Sequence, residues 1–414
     1  MNVSMLWKAW YGDEVVTLGF PDGWDVREVR MADAPSLGSD GIERAFDEPI
    51  GCPSIEEIVS GCRTVAIAIE DITRPTRTEQ LLRPLLQRLN NAGIRDENIV
   101  LISALGAHRP MTRPEFVAKY GKDTVERILT YNHYPFDNLV YAGETRTGPA
   151  MVNRFFFEAD AKIGVGTVFP HGHSGFSGGA KIVLPGVAGI DTICANHRGV
   201  SRGSGDKTGG IGIVEGNATR LGMEEFARQI GLSFIVNAVV NSAREIAGVF
   251  VGDVVDAHRE AVKLARRTYA TRLPDRLVDV AILNAYPKDT ELIQSPNAFN
   301  AFGEKGESRV LNEGGTAVVM TASSEGRGLH YLYDRGMKLY TPAYEFPSHR
   351  ELFRNYGTIV YSPNLSEADL WEIYPKQTKL ARQWDDVIRL LEDRYECPSV
   401  AVFPFATMQF PVEA

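Results

Sequence analysis

The chain has 414 residues, 44% of them apolar and 23% charged, an ordinary globular composition whose length exceeds one typical core and predicts two domains. Its formal charge of −9 excludes the broad cationic face that neutralises nucleic-acid phosphates, so an anionic ligand has to be met by a few local Arg, Lys or backbone N–H groups. No apolar run reaches the roughly 18 residues of a membrane span, and the scattered Cys52, Cys62, Cys194 and Cys397 form no C-x-x-C pair, which fits free thiols in a reducing cytoplasm.

Residues 1–19 mix Lys8, Asp13 and Glu14 with apolar residues and lack the charged-then-apolar order of a signal peptide. The first sixty residues are rich in Gly, Pro and Asp, and read as a small β-rich entry. A βαβ unit follows, with an apolar strand over 64–69, an amphipathic helix over 78–91 closed by Gly93, and a second strand over 98–105. A parallel sheet with covered faces is therefore expected. Thr112-x-x-Glu115 opens the next helix with a capping-box pattern. Residues 161–168 form a third strand, 189–197 a short helix, and 234–241 with 245–251 an antiparallel pair. A polar, alanine-rich helix over 253–272 is long enough to connect two domains. The second α/β series has strands over 278–284, 316–321 and 358–361, helices near 295–303 and over 378–392, and a last strand over 399–405. The expected architecture is two α/β domains joined by helical linkers, with the active site in the cleft between them. Residues 1–255 form the cofactor-binding and catalytic domain, 273–395 a substrate-closing domain, and 396–414 a tail that returns to the first domain.

In open α/β sheets, ligands bind outside the carboxyl ends of the strands. Three successive strand ends here deliver titratable groups to one edge: Glu70-Asp71-Ile72-Thr73-Arg74-Pro75-Thr76-Arg77, then Gly106-Ala107-His108-Arg109-Pro110, then Pro170-His171-Gly172-His173-Ser174-Gly175-Phe176-Ser177-Gly178-Gly179-Ala180-Lys181. Pro75 suits the first turn of a helix, which places Thr73, Arg74 and Thr76 around an N-terminus that favours an anion. Asp71 is placed to orient a histidine or Arg74. Read alone, this ending is also a capped helix with an Asp–Arg pair, and His108 a structural histidine at a tight strand exit. The third ending resists such a reading. Gly172, Gly175, Gly178 and Gly179 permit close backbone approach to a ligand, and Ser174 and Ser177 add hydroxyls. It is not a Walker loop, because Ile182 follows Lys181.

Two mechanisms compete on the residues alone. His171, His173 and His197 could bind a transition metal as neutral imidazoles, as a zinc-dependent hydrolase or lyase would use them. Alternatively, His108 and His171 are an acid and a base facing one substrate carbon, with Lys181 as nucleophile or covalent anchor. A non-catalytic binding module is the third reading.

The segments Asp71-x-x-Arg74-Pro75, Ala104-Leu105-Gly106-x-His108-Arg109 and His171-x-x-Ser174-Gly175-Phe176-Ser177-Gly178-Gly179-x-Lys181-x-x-x-Pro185-Gly186 together resemble the nickel-dependent lactate racemase family. The resemblance spans roughly residues 64 to 300. It implies a nickel-pincer nucleotide, a pyridinium mononucleotide whose thioamide and thiocarboxylate groups hold nickel through carbon and two sulfurs. In the family a lysine forms the thioamide link and a histidine sixteen residues on ligates nickel, and Lys181 and His197 stand at those places. Asp71, Thr73, Arg74, Thr76, Ser177, Gly178 and Gly179 complete the expected cofactor site. His108 and His171 match the histidines that flank the substrate carbon. The implied chemistry is hydride transfer, in which one histidine takes the hydroxyl proton while the C2 hydride moves to the cofactor, and return to the other face inverts the centre. A histidine titrates near neutral pH and so can take and return a proton. A tethered cofactor need not be bound anew at each turnover. His173 carries no assigned role. The resemblance also implies maturation partners for the cofactor, namely a carboxylase, a sulfur insertase and a nickel insertase.

One departure bears on the substrate. The family's lactate enzymes carry a Tyr-Gln-x-x-Lys run in the second domain, whereas this chain reads Ile293-Gln294-Ser295-Pro296-Asn297 after Tyr286-Pro287-x-Asp289. Tyr286, Gln294, Asn297 and Arg74 are the expected substrate residues. An amide both donates to and accepts from a hydroxyl, while an ammonium only donates. The expectation is a racemase or epimerase of a larger, hydroxyl-rich 2-hydroxy acid such as an aldonate, with lactate itself as the alternative.

Overall fold

The computed structural model describes residues 1–201, 209–303, 309–345 and 347–412. It divides into two compact units, one of Ala34–Arg267 and one of Met1–Asp33 with Thr268–Ala414. Both are α/β, as the alternation of elements predicts. No helix among the described residues is long and apolar enough to cross a membrane.

The 34–267 unit is built on a six-stranded sheet in the order Ile246–Gly252, Leu232–Val240, Ala161–Thr167, Val65–Ile69, Ile99–Ser103, Leu129–Asn132. All pairs are parallel except the edge pair Leu232–Val240 with Ile246–Gly252. Val65–Ile69, apolar throughout, and Ala161–Thr167, with Lys162 and Thr167 at its ends, are buried along their whole length, as strands covered on both faces are. From Val65–Ile69 the chain steps outwards through Ile99–Ser103 to Leu129–Asn132, then returns to the other side of Val65–Ile69 with Ala161–Thr167. The strand order therefore reverses between these two strands, and their carboxyl ends flank the crevice where such sheets bind ligands.

The second unit has a six-stranded parallel sheet in the order Lys379–Ala381, Gly357–Tyr361, Leu311–Met320, Val278–Asn284, Ser399–Phe403, Asp25–Glu28. This corrects the expected domain ranges at both ends. Residues 1–33 belong with the C-terminal half, because Asp25–Glu28 supplies its edge strand and Val3, Met5, Trp7 and Leu18 pack into one core with Val280, Ile282 and Val400. Residues 396–414 do not return to the first domain. Ser399–Phe403 lies inside the second sheet, and Phe410–Val412 pairs with Ala270–Arg272 of the same unit.

Three local expectations also change. The connector is the helix Asp256–Tyr269, which is amphipathic rather than polar: it buries Ala257, His258, Ala261, Val262 and Ala265, so up to Arg267 it is part of its unit's core. The helix over 378–392 begins with a strand, Lys379–Ala381, paired with Ile359–Tyr361; only Trp384–Glu392 is helical, opened by a capping box of Gln383 and Asp386. The helix near 295–303 is a 3-10 run, Leu292–Phe302, with Pro296 inside it. A 3-10 run suits this segment, since a proline cannot donate within an α-helix.

Candidate active site

The first loop leaves Val65–Ile69 as a turn organised by Asp71. Asp71 Oδ1 accepts from the Thr73 backbone N–H at 2.8 Å and from its hydroxyl at 2.5 Å. Its other oxygen, Oδ2, accepts from His108 Nδ1 at 2.6 Å. Burial opposes the charge on Asp71, but His108 beside it, Arg74 and the Thr73 hydroxyl outweigh burial and hold the carboxyl below its ordinary range. Arg74 donates to the Thr73 hydroxyl at 2.9 Å and lies 5.6 Å over the Phe169 ring. The expected helix N-terminus at Pro75 is not there. The helix is Glu79–Asn91, and residues 75–77 lie outside it, with buried cations holding the carbonyls of Arg74, Pro75 and Thr76. Lys119 Nζ donates to the carbonyls of Arg74 and Thr76, both at 3.0 Å, and Arg244 Nε donates to that of Pro75 at 2.9 Å. Thr76 is fully buried, its hydroxyl bonded to that of Thr167, so its side chain braces the crevice from below.

The second loop carries His108 on a turn whose N–H meets the Leu105 carbonyl at 2.9 Å. Gly106 ties the turn to the tail of the third motif, its N–H donating to the Gly186 carbonyl at 2.9 Å.

The third loop folds Pro170–His171 against Gly175–Phe176 as a two-residue ladder. His171 Nδ1 accepts from the backbone N–H groups of His173 and Ser174 at 3.2 and 3.3 Å. The His173 ring lies between its two neighbours, 6.1 Å from the His171 ring and 6.0 Å from that of His197. His197, on the helix Ile190–Ser201, donates from Nδ1 to the Ile193 carbonyl at 2.8 Å. That leaves Nε2 with the lone pair. Burial, reinforced by His173, pushes His197 down to about 3, so the imidazole is neutral at physiological pH, the form that binds metals. The three histidines do not form a metal cluster of their own: no group of three or more His, Cys, Asp or Glu among the described residues is arranged to hold an ion. The zinc-enzyme reading is therefore not favoured.

Lys181 is partly buried on a single 3-10 turn, Gly179–Ile182. Burial, then Arg74 and Arg220, push its amine down to about 7. No hydrogen bond from Lys181 Nζ is formed to any described residue. A lysine so placed is a good nucleophile, since a large share of it is unprotonated near neutrality.

Of the loop's glycines, Gly172 has open space beside it, whereas Gly178 and Gly179 are closed in by protein. A Cβ on Gly178 (φ +75°) would come within 2.6 Å of Val168 Cγ2 and 2.8 Å of Asn237 Oδ1, and the Gly179 N–H already donates to that Asn237 oxygen at 2.9 Å. The Ser177 hydroxyl donates to the Thr167 carbonyl at 2.6 Å and accepts from the Phe169 N–H at 3.0 Å. The Ser177 hydroxyl, the Cβ side of Gly178 and the Gly179 N–H are thus engaged with protein.

What holds the loop from behind is Arg220, a fully buried side chain on the helix Ala218–Gln229. It donates to the carbonyls of Ser174, Gly178 and Phe176, at 3.3 Å and 2.9 Å for the first two. Glu224, one turn further along, is held by Arg259 at 2.8 and 3.0 Å, and His258 Nε2 donates to the Ser177 carbonyl at 2.9 Å. Sequence reasoning missed Lys119, Arg220, Arg244, Asn237 and His258. Tyr286, Gln294 and Asn297 belong to the other unit. There Asn297 Nδ2 donates to the Gln294 carbonyl at 2.8 Å and to its side-chain oxygen at 3.2 Å, while the Tyr286 hydroxyl donates to Asp13 at 3.2 Å.

The chain matches the family model for the lactate racemase N-terminal domain over residues 11–209. Lactate racemase of Lactiplantibacillus plantarum is 32% identical over 290 residues, which is 69% of this chain and 66% of that protein. Lactate racemase of Thermoanaerobacterium thermosaccharolyticum is 28% identical over 292 residues, 70% and 67% of the two chains. The matched segment thus spans about two thirds of these relatives' length. In fold, the chain follows the apoprotein structure of the T. thermosaccharolyticum lactate racemase over 100% of both chains, with a TM-score of 0.78 at 23% identity. It follows a crystal structure from Thermotoga maritima over 92% of this chain and 99% of that one, with a TM-score of 0.67 at 19% identity. With the ordered motifs on its three loops, the chain belongs to the lactate racemase family, a family of isomerases.

Proposed function

We propose that this protein inverts C2 of a 2-hydroxy acid, using a nickel-pincer nucleotide attached through Lys181. The observation that carries the reading is the Lys181 amine: pushed down to about 7 and without a hydrogen-bond partner among the described residues, it lies at the crevice beside Arg74 and close enough to His197 to lower its pKa. These residues fit the cofactor. Lys181 would hold it covalently, His197 Nε2 would face its metal, and Arg74 would meet its anionic groups. When bound, the group supplies a reversible acceptor for the C2 hydride.

The chain's own residues then handle the rest. Asp71 orients His108, and the His173–Ser174 turn orients His171, so both imidazoles are fixed before substrate arrives. Preorganisation of this kind avoids reorganising the site at the moment of reaction. For the substrate, the Gln294–Asn297 amide pair supports a hydroxyl-rich acid such as an aldonate over lactate, since an amide satisfies a hydroxyl both ways.

A screen of lactate and of sugar acids for C2 inversion, with protein matured by a carboxylase, a sulfur insertase and a nickel insertase, tests the reading. Inversion of at least one acid is expected, together with added mass on the peptide containing Lys181 that is lost in Lys181→Ala. Loaded protein that inverts none of them would overturn it.

A further inference from the structure

His173 has no part in the reading above, yet its surroundings set it apart from the chain's structural histidines. His133 and His258 are fully buried and spend their rings on protein. His133 Nε2 donates to the Ala188 carbonyl at 2.9 Å and its Nδ1 accepts from the Asn153 amide at 3.4 Å, while His258 Nε2 donates to the Ser177 carbonyl at 2.9 Å. His173 is exposed, and its ring forms no hydrogen bond with any described residue. Its backbone, by contrast, is tied on both sides. The N–H donates to His171 Nδ1 at 3.2 Å, and the carbonyl accepts from Asn217 Nδ2 at 3.0 Å. Asn217 is itself fixed, since its side-chain oxygen accepts from the Arg220 N–H at 3.1 Å and so caps the helix Ala218–Gln229. The loop therefore holds the His173 ring between those of His171 and His197, 6.1 and 6.0 Å away, with Lys181 nearby.

We propose that His173 is a specificity-determining residue, whose imidazole takes the C3 hydroxyl of a 2,3-dihydroxy acid. This rests on the reading above that the site takes a 2-hydroxy acid, and names the class. In that reading the C2 hydrogen faces the cofactor and the C2 oxygen a histidine, and His173 borders both places without serving in either. The substituent that follows on the acid is C3. In an aldonate C3 carries a hydroxyl, which an imidazole meets as donor from one ring nitrogen and as acceptor at the other. In lactate C3 is a methyl group, which would lie against the ring and exclude water without replacing those hydrogen bonds. A site built to bond a substrate hydroxyl rejects the analogue lacking it, because its own polar groups are then left unpaired.

Glycerate and lactate differ by a single oxygen, on C3, so the pair isolates this contact. In matured enzyme, kcat/KM for C2 inversion should favour glycerate by about tenfold or more, the worth of roughly one hydrogen bond. His173→Phe keeps a ring but no polar atom, and should erase the preference. His173→Gln keeps a donor and an acceptor and should retain part of it, a rescue that a merely structural role would not give. The same preference is read without turnover from equilibrium dialysis of loaded protein against each racemic acid, with the mass of the Lys181 peptide reporting loading. No preference in the wild type, a preference unchanged in His173→Phe, or loss of loading in both variants would overturn the proposal. Tighter binding of glycerate that His173→Phe abolishes, with inversion of no acid, would keep this proposal and remove the racemase reading. Equal inversion of both acids would do the reverse.

Discussion

Asp71 and His108 form a dyad in which one carboxylate does two jobs: Oδ2 holds the imidazole at 2.6 Å while Oδ1 is fixed by the Thr73 N–H at 2.8 Å. The Thr73 bonds decide what an amide would do in its place. In Asp71→Asn the oxygen stays with the Thr73 donors, so the NH2 group points at His108 Nδ1. His108 must then accept there, which puts its proton on Nε2 and removes the base. Turnover should fall by about 10²–10⁴ with attachment at Lys181 retained, checked by steady-state rates beside intact-protein mass. A loss below tenfold would show that the dyad does not set the tautomer.

Arg220 is the stabilising centre of the third loop. In Arg220→Met, three carbonyls (those of Ser174, Phe176 and Gly178) lose a buried donor together, and Glu224 loses a neighbouring cation. Stability should drop by roughly 3–5 kcal/mol, as when one member of a buried charged network is removed, read from denaturant unfolding. Arg220→Lys keeps the charge but supplies the three carbonyls less well, since its ammonium lacks the planar fork. It should fall between wild type and Met in stability and in yield of Lys181 adduct. An adduct yield that follows neither variant would separate the loop from attachment.

Lys119 does for the first loop what Arg220 does for the third. Its amine is fully buried, meets Glu70 at 3.2 Å, and is pushed down to about 8 by burial despite that carboxylate. Lys119→Met strands Glu70 and should cost roughly 3–5 kcal/mol. Adding Glu70→Gln removes the stranded charge and keeps an oxygen to accept from the Thr167 N–H, while its NH2 group can donate to the Thr167 hydroxyl once that hydroxyl turns to accept. The double variant should therefore be more stable than Lys119→Met alone, a non-additivity that a double-mutant cycle measures. Additive losses would mean that Glu70 and Lys119 are not energetically coupled.

These supporting cations explain how far the sequence could be read. The three loops are legible because each follows an apolar strand, and strand ends in such sheets converge on one edge. The domain division is less so: the pairing of Asp25–Glu28 with Ser399–Phe403 joins residues over 370 positions apart, and no local pattern signals it. Lys119, Arg220 and Arg244 are opaque for a different reason. A single charge in an amphipathic helix or a turn ordinarily faces water, and only the three-dimensional path of a distant loop's carbonyls turns it inward. One glycine misleads in the same way. Gly178 reads as room for a ligand, yet the space beside it is filled by Val168 and Asn237.

Lys181 yields the prediction with a defined pH range. Its amine is pushed down to about 7 from an ordinary 10.5 by burial, then by Arg74 and Arg220. The folded chain therefore gives up this proton at about pH 7, whereas the unfolded chain keeps it to about 10.5. Between those values the unfolded state binds more protons, so this group's contribution to stability rises with pH across the window and is least favourable below pH 7. Lys181→Met should remove that slope, giving a stability advantage over wild type that is largest at pH 6, shrinks as the pH rises and is gone only above about pH 10.5, read from urea unfolding at each pH. The same shift controls reactivity, because only the neutral amine is a nucleophile. In protein lacking the cofactor, an amine-directed reagent at limiting concentration should label Lys181 ahead of exposed lysines at pH 7, with its rate levelling off above about pH 8 while theirs keep rising. Peptide mass spectrometry across the pH series reads both curves. Labelling of Lys181 that parallels the exposed lysines up to pH 10 would show that the fold does not hold this amine neutral.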